Sequence, residues 1–226
     1  MTGFPAPVVA APIVAVDIAV FTVLARTLHV LLVELRHGPF AGRWALPGGR
    51  VQVDESLDAA AGRELAAQTG IPNIYLEQLY TFGSPGRDPA GHVVSVAYVA
   101  LIAHGGRFPP RPGGDKYAAV AWRPVRRLPA LAYDHAAVVA TAAERLRAKL
   151  AYTNLAYTLL PREFTLGELQ EMYEAILGRR LDRRNFRKKV LALGLLHALG
   201  RVRRGPHRPA ALYAFRHRRP MVIQVL

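Results

Sequence analysis

The spacing of hydrophobic positions divides the chain into a strand-rich first part and a helical second part. In the first part, β-branched and leucine-rich runs of strand length recur over residues 14–24, 29–35, 75–82, 93–103 and 117–122. Apolar residues at helical spacing predict a helix over 56–68, capped by Ser56 and ended by Gly70, and a longer helix over 135–150. Strands outnumber helices and do not alternate strictly with them, which favours an α+β sandwich.

The second part begins with two predicted helices. Thr165 and Glu168 form a capping box before a helix that ends at Gly178, and Asp182 caps a second helix over residues 183–193. Strand-like runs at 195–202 and 210–215 then flank a basic turn at 205–209. Two helices followed by a hairpin indicate a winged helix-turn-helix. We therefore predict a first domain over residues 13–151 and a winged helix domain over 152–226.

The apolar stretch over residues 4–25 is interpreted as a tail and a strand. It contains Asp17 and three prolines and has no basic residue before Arg26, so it resembles neither a signal peptide nor a membrane span. We expect a flexible tail over residues 1–12, then a buried strand, and no membrane partner.

Charge separates the two parts further. Residues 1–152 carry 15 Lys and Arg against 11 Asp and Glu, a net charge of +4, whereas residues 153–226 carry 15 against 5, a net charge of +10. Such an asymmetry indicates a polyanionic partner for the second part. The chain has no cysteine, which excludes disulfides, thiolate zinc sites and cysteine nucleophiles and agrees with the cytoplasmic location that we expect.

A spaced motif carries the candidate chemistry of the first part. After Leu46-Pro47-Gly48-Gly49, the sequence continues as x5-Glu55-x7-Arg63-Glu64-Leu65-x-Ala67-Gln68-x-Gly70-Ile71. This pattern resembles the Nudix box, a loop–helix–loop that binds a divalent metal against a pyrophosphate, and it implies a Nudix-type α/β/α sandwich.

The motif departs from the family pattern at two carboxylate positions. The family has Glu-Glu where this chain has Ala67 and Gln68, and these positions share a helix face with Glu64. A metal that bridges phosphates needs several hard oxygen ligands, and only one carboxylate remains on that face. We expect no bound metal, no other cofactor, no catalytic residue and little or no hydrolysis. The alternative for Glu64 is a surface ion pair with Arg63.

A pocket at the box can still bind a nucleotide diphosphate. The effector-binding residues that we expect are Arg36, Arg43, Gly48, Gly49, Arg50, Glu64, Phe82, Arg87 and Asp88. Arginines suit phosphate, although Arg36 and Arg43 equally fit solvated loop charges. The alternative for Arg87 and Asp88 is a solvated pair on an ordinary hairpin. Asp134 is expected to cap the helix that follows it, and His135 to be structural rather than catalytic.

The second helix of the basic part is the candidate recognition helix. Phe186 and Val190 share the face that would anchor it, whereas Asn185 and the arginines suit base edges and the lysines suit phosphates. The DNA-binding residues that we expect are Thr165, Arg183, Arg184, Asn185, Arg187, Lys188 and Lys189 with the hairpin residues Arg201, Arg203, Arg204, His207 and Arg208. A solubilising surface is the alternative, but Asp182 is the one acidic residue between Arg179 and Gly205.

The order of the parts resembles the Nudix-related transcriptional regulators, the NrtR family, with matching segments at Tyr80-Thr81-Phe82-Gly83, Ser95-Val96-Ala97-Tyr98 and Leu160-Pro161-Arg162-Glu163-Phe164-Thr165. The resemblance implies a homodimeric repressor of NAD-metabolism genes that binds a palindromic duplex DNA operator and senses ADP-ribose or a related metabolite. Two alternatives remain, a pyrophosphatase with residual activity on ADP-ribose and a basic appendage, and an RNA-binding Nudix protein.

Overall fold

The computed structural model describes residues 11–72, 74–103, 109–204, 209–219 and 221. Its strands are β1 (Ile13–Leu24), β2 (Thr27–Leu35), β3 (Trp44–Ala45), β4 (Gly48–Arg50), β5 (Glu77–Phe82), β6 (Val93–Leu101), β7 (Tyr117–Pro124), β8 (Phe164–Thr165), β9 (Leu196–Arg203) and β10 (Ala210–Phe215). The α-helices are α1 (Leu57–Thr69), α2 (His135–Tyr152), α3 (Leu166–Leu177) and α4 (Arg183–Ala192), and short 3₁₀ turns cover Val125–Arg127 and Leu155–Thr158.

Strand β1 organises the first sheet. It pairs in parallel with β6 over nine residues, from Ile13 opposite Val93 to Phe21 opposite Leu101. Its other edge pairs with β4 near Asp17 and with β2 beyond Phe21. The sheet order is β3-β2-β1-β6-β5, with β7 added to β2. Because β4 and β2 share this edge of β1, Asp17 lies beside the short strand β4 and its loop.

Successive side chains of β1 point to opposite faces of this sheet, and helices cover both faces. Val16, Ile18 and Val20 pack in a buried cluster with residues of α1, whereas Ala19 and Phe21 pack in a cluster with residues of α2 and α3. The result is an α/β/α sandwich, as the sequence predicted. Strands β3, β4 and β8 were not predicted because two or three residues show no periodicity.

The second part is a winged helix-turn-helix, as predicted. Thr165 and Glu168 form both hydrogen bonds of the capping box at the start of α3, and the Asp182 carboxylate accepts from the Asn185 amide at the start of α4. Strands β8, β10 and β9 form a three-stranded sheet beside these helices. The buried cluster of α2 continues into α3 and α4, so the two parts share one core.

Two predictions concern the ends of the domains. Helix α2 runs past the predicted boundary at residue 151 and ends at Tyr152. The predicted tail lies outside the described residues up to residue 10, and the strand after it begins at Ile13. Within the described part of the chain, no helix is long and apolar enough to cross a bilayer.

Candidate effector cavity and nucleic-acid interface

A cavity of about 720 Å³ opens beside β1, β4 and α1. Six of the nine residues predicted to bind the effector line it: Gly48, Gly49, Arg50, Glu64, Arg87 and Asp88. The other three lie elsewhere. Arg36 is exposed and reaches the Tyr117 carbonyl oxygen at 3.5 Å, Arg43 lies over the Phe40 ring at 5.8 Å, and Phe82 packs against the hydrophobic core.

The side chain of Gln68 ties α1 to the cavity loop. It is buried, and its Nε2 donates to the Gly48 carbonyl oxygen at 2.6 Å and to Glu64 Oε2 at 2.5 Å. Its Oε1 accepts from the Gly48 amide at 3.1 Å. The Gln68 amide oxygen is therefore engaged by a backbone hydrogen bond. Gln68 therefore fixes the loop.

The remaining box carboxylates are paired with Arg63. The Arg63 fork donates to both Glu55 oxygens at 2.6 and 2.8 Å, and its Nη1 donates to Glu64 Oε1 at 2.6 Å. This pairing lowers the pKa of Glu55 from 4.5 to about 2. The ion pair considered as an alternative for Glu64 is thus formed, in a half-buried setting.

These contacts test whether the family's metal fits. Both Glu64 oxygens are engaged by Arg63 and Gln68, and the Ala67 methyl offers no ligand atom. No group of three or more His, Asp or Glu side chains among the described residues is arranged to hold a metal ion. The residues present do not fit a bridging divalent cation.

The packing requires glycine at position 48. A Cβ on Gly48 would lie 2.3 Å from the Val16 carbonyl oxygen, and this oxygen cannot move because the Val16 backbone belongs to β1. A Cβ on Gly49 would lie 2.5 Å from Glu64 Oε1, so a side chain there would displace the Glu64 carboxylate from its present position. The loop therefore approaches the sheet too closely for any side chain at Gly48.

A buried charge cluster forms one wall of the cavity. Arg87 Nη2 donates to Asp17 Oδ2 at 3.0 Å and to Asp134 Oδ1 at 2.6 Å, and the side chain of Arg87 is only 4% exposed. Ser95 Oγ donates to Asp17 Oδ2 at 2.6 Å. Burial alone would raise the pKa of Asp17, but the hydrogen bonds from His135, Ser95 and Arg87 and the positive charge of Arg87 outweigh it and hold this pKa well below its usual range.

The arrangement corrects two expectations. Asp134 occupies the N-cap position of α2, but its side chain makes no capping hydrogen bond and binds Arg87 instead. Arg87 pairs with Asp17 and Asp134 rather than with its neighbour Asp88, whose carboxylate accepts from the Ala90 amide. The hairpin alternative of a solvated Arg87–Asp88 pair is therefore wrong.

His135 connects the charge cluster to the loop before β4. Its Nδ1 accepts from the Leu46 amide at 2.8 Å, which places the ring proton on Nε2, and Nε2 lies 3.2 Å from Asp17 Oδ1. The ring is buried and orients both the Leu46 amide and the Asp17 carboxylate. This is the structural role predicted for His135, at the cavity wall.

Tyr133 stands at the cavity mouth in a strained backbone conformation. Its φ of 52° lies in the left-handed region, which is unusual for an aromatic residue, and its side chain lines the cavity while remaining 36% exposed. The ring packs edge-on against Phe40, 4.6 Å between centroids, and beside His135 at 5.1 Å. The turn thus sends Tyr133 outward and Asp134 and His135 inward.

Charged or aromatic residues that the sequence did not assign to this cavity include Asp17, Lys116, Tyr117 and Tyr133. For Asp17 a signal was available, because it is the one charge within a long apolar strand. No comparable signal marks Lys116, Tyr117 or Tyr133, since residues far apart in sequence meet there only after folding.

Helix α4 presents most of its predicted DNA-binding residues to solvent. Phe186 and Val190 are buried, and the Phe186 ring packs edge-on against Tyr173 at 5.2 Å. The predicted DNA-binding residues exposed on this helix are Arg183, Arg184, Asn185, Lys188 and Lys189. Arg187 differs from this group because it is half-buried, with a buried Nε that has no hydrogen-bond partner among the described groups.

The hairpin arginines make contacts within the domain. Arg201 pairs with Glu163 at 2.7 Å, and Arg203 pairs with Glu168, the residue that closes the capping box with Thr165. The Thr165 hydroxyl accepts from the Glu168 amide and is committed to the cap. Arg204 is exposed, and His207 and Arg208 lie outside the described residues.

Comparisons with known proteins follow this division of the chain. The NUDIX domain family matches residues 14–142, and the NrtR DNA-binding winged helix domain family matches residues 156–215. The chain is 37% identical over 206 residues to the ADPR responsive transcriptional repressor NtrR of Acinetobacter baylyi, an alignment that covers 90% of this chain and 82% of that repressor. The chain belongs to the NrtR family.

This NrtR family member is also similar to a second NrtR of known structure and to an enzyme. Shewanella oneidensis NrtR complexed with a 27mer DNA matches with a TM-score of 0.74 at 35% identity, covering 90% of this chain and 93% of that chain. The NUDIX domain of the same protein complexed with ADP ribose matches with a TM-score of 0.56 at 36% identity, covering 63% and 94%. An ADP-ribose pyrophosphatase of Methanocaldococcus jannaschii is 34% identical over 128 residues, covering 57% of this chain and 71% of that enzyme.

Proposed function

We propose that the chain is a transcriptional repressor that binds ADP-ribose in the 720 Å³ cavity, does not hydrolyse it, and binds duplex DNA through α4 and the β9–β10 hairpin. The contact of Gln68 with Glu64 and Gly48 carries the first half of this proposal. A neutral amide stands where a hydrolase needs a metal-binding carboxylate, and it holds the cavity loop in place. The site therefore retains a cavity for the ligand but lacks the carboxylates for metal-dependent hydrolysis.

The cavity suits a sugar nucleotide diphosphate. Its volume falls within the range of small-molecule sites, about 300–1,000 Å³. Arg50 and Lys116 supply cationic groups for phosphates, and Tyr117 and Tyr133 supply aromatic surface for a base. The names of two relatives, an ADPR responsive repressor and a NUDIX domain complexed with ADP ribose, favour ADP-ribose among such ligands.

The exposed side of α4 suits duplex DNA. Five polar or cationic residues face solvent there, and Asn185 and the arginines have the donor patterns that read adenine and guanine in the major groove. We further propose that the chain acts as a homodimer on a palindromic operator of NAD-metabolism genes, since winged helix dimers mirror their operators. No metal and no cofactor is required in this mechanism.

The effector acts by linkage. If ADP-ribose binds one arrangement of the two domains more tightly than the other, it shifts the population between them, and DNA changes effector affinity by the same factor. The shared core of α2, α3 and α4 provides a direct physical connection.

Binding to an operator duplex tests the proposal. Fluorescence anisotropy at two salt concentrations, with and without ADP-ribose, should show tight DNA binding that the effector changes severalfold. In parallel, purified protein with Mg²⁺ or Mn²⁺ should release no AMP from ADP-ribose. Operator affinity that ADP-ribose leaves unchanged would contradict the sensor function, and preference for RNA over duplex DNA of equal sequence would favour an RNA-binding protein.

A residual pyrophosphatase is the second candidate, because the 34% identity to an ADP-ribose pyrophosphatase is comparable to the identity with the repressors. Glu55 and Glu64 also remain in the box. AMP release at ordinary enzymatic rates would select this candidate.

A further inference from the structure

A second cavity, of about 730 Å³, lies between the first domain and the helix-turn-helix. Five arginines line it: Arg26, Arg126, Arg179, Arg180 and Arg183. Two carboxylates, Glu171 and Glu174, lie among them, so the lining groups carry a net charge of +3 (five cations less two anions). No part of the proposed effector site is included.

Both carboxylates of this junction cavity are already engaged. Glu171 pairs with Arg26 across the domain boundary. Glu174 Oε1 accepts from the Leu181 amide and from Gln170 Nε2, both at 2.9 Å, and these hydrogen bonds lower the pKa of Glu174. Arg126 donates to the Gly178 carbonyl oxygen at 2.7 Å, a neutral acceptor, so its charge stays uncompensated. The cavity thus keeps an excess of guanidinium groups.

The position of the cavity relates these arginines to α4. Arg183 is the first residue of α4, and Arg179 and Arg180 are exposed in the turn before it. On the other side, Ala25 and Arg26 both have left-handed backbone conformations, φ 47° and 60°, in the tight turn that directs Arg26 toward α3. The basic lining therefore extends from the start of the recognition helix onto the first domain, with Glu171 and Glu174 among its arginines.

We propose that the phosphate backbone flanking the operator bases binds this junction cavity, so that Arg26 and Arg126 of the first domain contact DNA directly. This inference rests on the proposed DNA-binding function. A recognition helix enters the major groove with its N-terminal residues, and the backbone that borders the groove passes beside that end. Guanidinium groups offer forked donors for phosphate oxygens, and the N-terminal amides of α4 add a partial positive charge.

The dependence of DNA affinity on salt measures these contacts. Each phosphate contact contributes about 0.9 to the slope of log K against log salt. Binding of a duplex selected by the wild-type chain from a random-sequence pool is measured between 50 and 200 mM KCl. We expect Arg26→Gln to reduce the slope by about 0.9, and Arg26→Gln with Arg126→Gln to reduce it by about 1.8, with the order of preference among duplexes unchanged. Arg145→Gln, an exposed arginine of α2 outside the cavity, should keep the wild-type slope.

One further variant, Arg26→Gln combined with Glu171→Gln, separates a phosphate contact from a structural role. Glu171→Gln removes the carboxylate that Arg26 would otherwise neutralise. If Arg26 contacts phosphate, adding Glu171→Gln to Arg26→Gln leaves the reduced slope in place. If adding Glu171→Gln to Arg26→Gln restores the slope to the wild-type value, the inference is overturned. Wild-type slopes in Arg26→Gln and in Arg26→Gln with Arg126→Gln would overturn it as well. Absence of duplex binding by the wild-type chain would instead overturn the proposed function itself.

Discussion

Arg126 Nη2 donates a hydrogen bond of 2.7 Å to the carbonyl oxygen of Gly178, the residue that ends α3. Arg147 Nε donates at 3.1 Å to the carbonyl oxygen of Ile176, two residues earlier in the chain. The last carbonyl groups of a helix lack partners within it and carry partial negative charge, so two arginines of the first domain cap α3 from outside. A movement of the first domain therefore reaches the turn between α3 and α4 directly.

Replacing Gly178 tests this cap. Gly178→Ala places a Cβ 2.4 Å from Arg126 Nη2 and imposes a left-handed φ of 73° on a residue with a side chain. Gly194→Ala is the matched control, because Gly194 has φ 65° and nothing within 4 Å of its Cβ position. Both variants should lose about 1–2 kcal/mol of unfolding free energy from the backbone term. Gly178→Ala should lose about 0.5–1.5 kcal/mol more, because the Cβ displaces the exposed Arg126 guanidinium from its hydrogen bond, measured by urea denaturation. Equal losses in the two variants would contradict the cap.

Gln68 should determine whether the box responds to metal. Gln68→Glu removes the Nε2 donor and sets a second carboxylate against Glu64, so we expect lower stability without metal and a rise in Tm when Mg²⁺ or Mn²⁺ is added. The wild-type Tm should not change with either metal. Gln68→Ala, which leaves the Gly48 amide and carbonyl without their partner, should lose about 1–3 kcal/mol and remain insensitive to metal. A metal-dependent Tm in the wild-type chain would contradict this reading.

The buried pair of Arg87 and Asp17 should be strongly coupled. Arg87→Met leaves the Asp17 carboxylate buried beside Ser95 and His135 without its cation, and removal of one partner from a buried pair costs about 3–5 kcal/mol. Asp17→Asn combined with Arg87→Met should cost less than the sum of the single variants, by about 1 kcal/mol or more. Chemical denaturation of the wild-type chain, the two single variants and the double variant gives a double-mutant cycle. Additive losses of unfolding free energy would show that the pair is not coupled.

Tyr133 should bind the base of the effector. Base–aromatic stacking contributes about 1–3 kcal/mol per base, so Tyr133→Leu should weaken ADP-ribose binding roughly 5- to 150-fold in Kd while Tyr133→Phe retains it. Binding of ribose 5-phosphate, which has no base, should be unchanged in both variants by calorimetry. Tyr80→Leu, on an exposed tyrosine of β5 outside the cavity, serves as the control. An equal loss for both ligands in Tyr133→Leu would assign Tyr133 to cavity shape.

Acid should weaken the fold partly through Glu55. The pKa of Glu55 is about 2 in the folded chain against an ordinary 4.5, so its pairing with Arg63 stabilises the fold above about pH 4.5 and this contribution disappears as the pH falls toward 2. Glu55→Gln should therefore lessen the decline in unfolding free energy between pH 5 and pH 2, whereas Glu144→Gln on the exposed side of α2 should not. Identical pH profiles for wild type and Glu55→Gln would refute the pairing.

The sequence predicted the elements with strong periodicity and the side chains that act within one segment. The capping box of Thr165 and Glu168 and the cap by Asp182 depend on residues three positions apart, and both are formed. The box spacing likewise placed Glu64 and Gln68 on one face of α1. Interactions within a single turn of helix can be read from spacing alone.

Side chains whose partners are distant in sequence could not be assigned in this way. Asp134 has the sequence position of a helix cap, yet its carboxylate binds Arg87, which is 47 residues away in the chain. Arg187 shares a periodic pattern with Arg184 and Lys188, but the core beneath α4 half-buries it. In both cases tertiary contacts outweigh the local preference, and these contacts exist only after β1, β6 and the helices have packed.

The close packing at Gly48 distinguishes two properties that one sequence motif contains, the shape of the cavity loop and the capacity for hydrolysis. Because the Val16 carbonyl oxygen of β1 fills the space of a Cβ at Gly48, this glycine is required by packing whether or not a metal binds. Among related chains we therefore expect the glycine at this position to persist where the box carboxylates have been replaced. Its retention indicates the loop, and only the carboxylates indicate an enzyme.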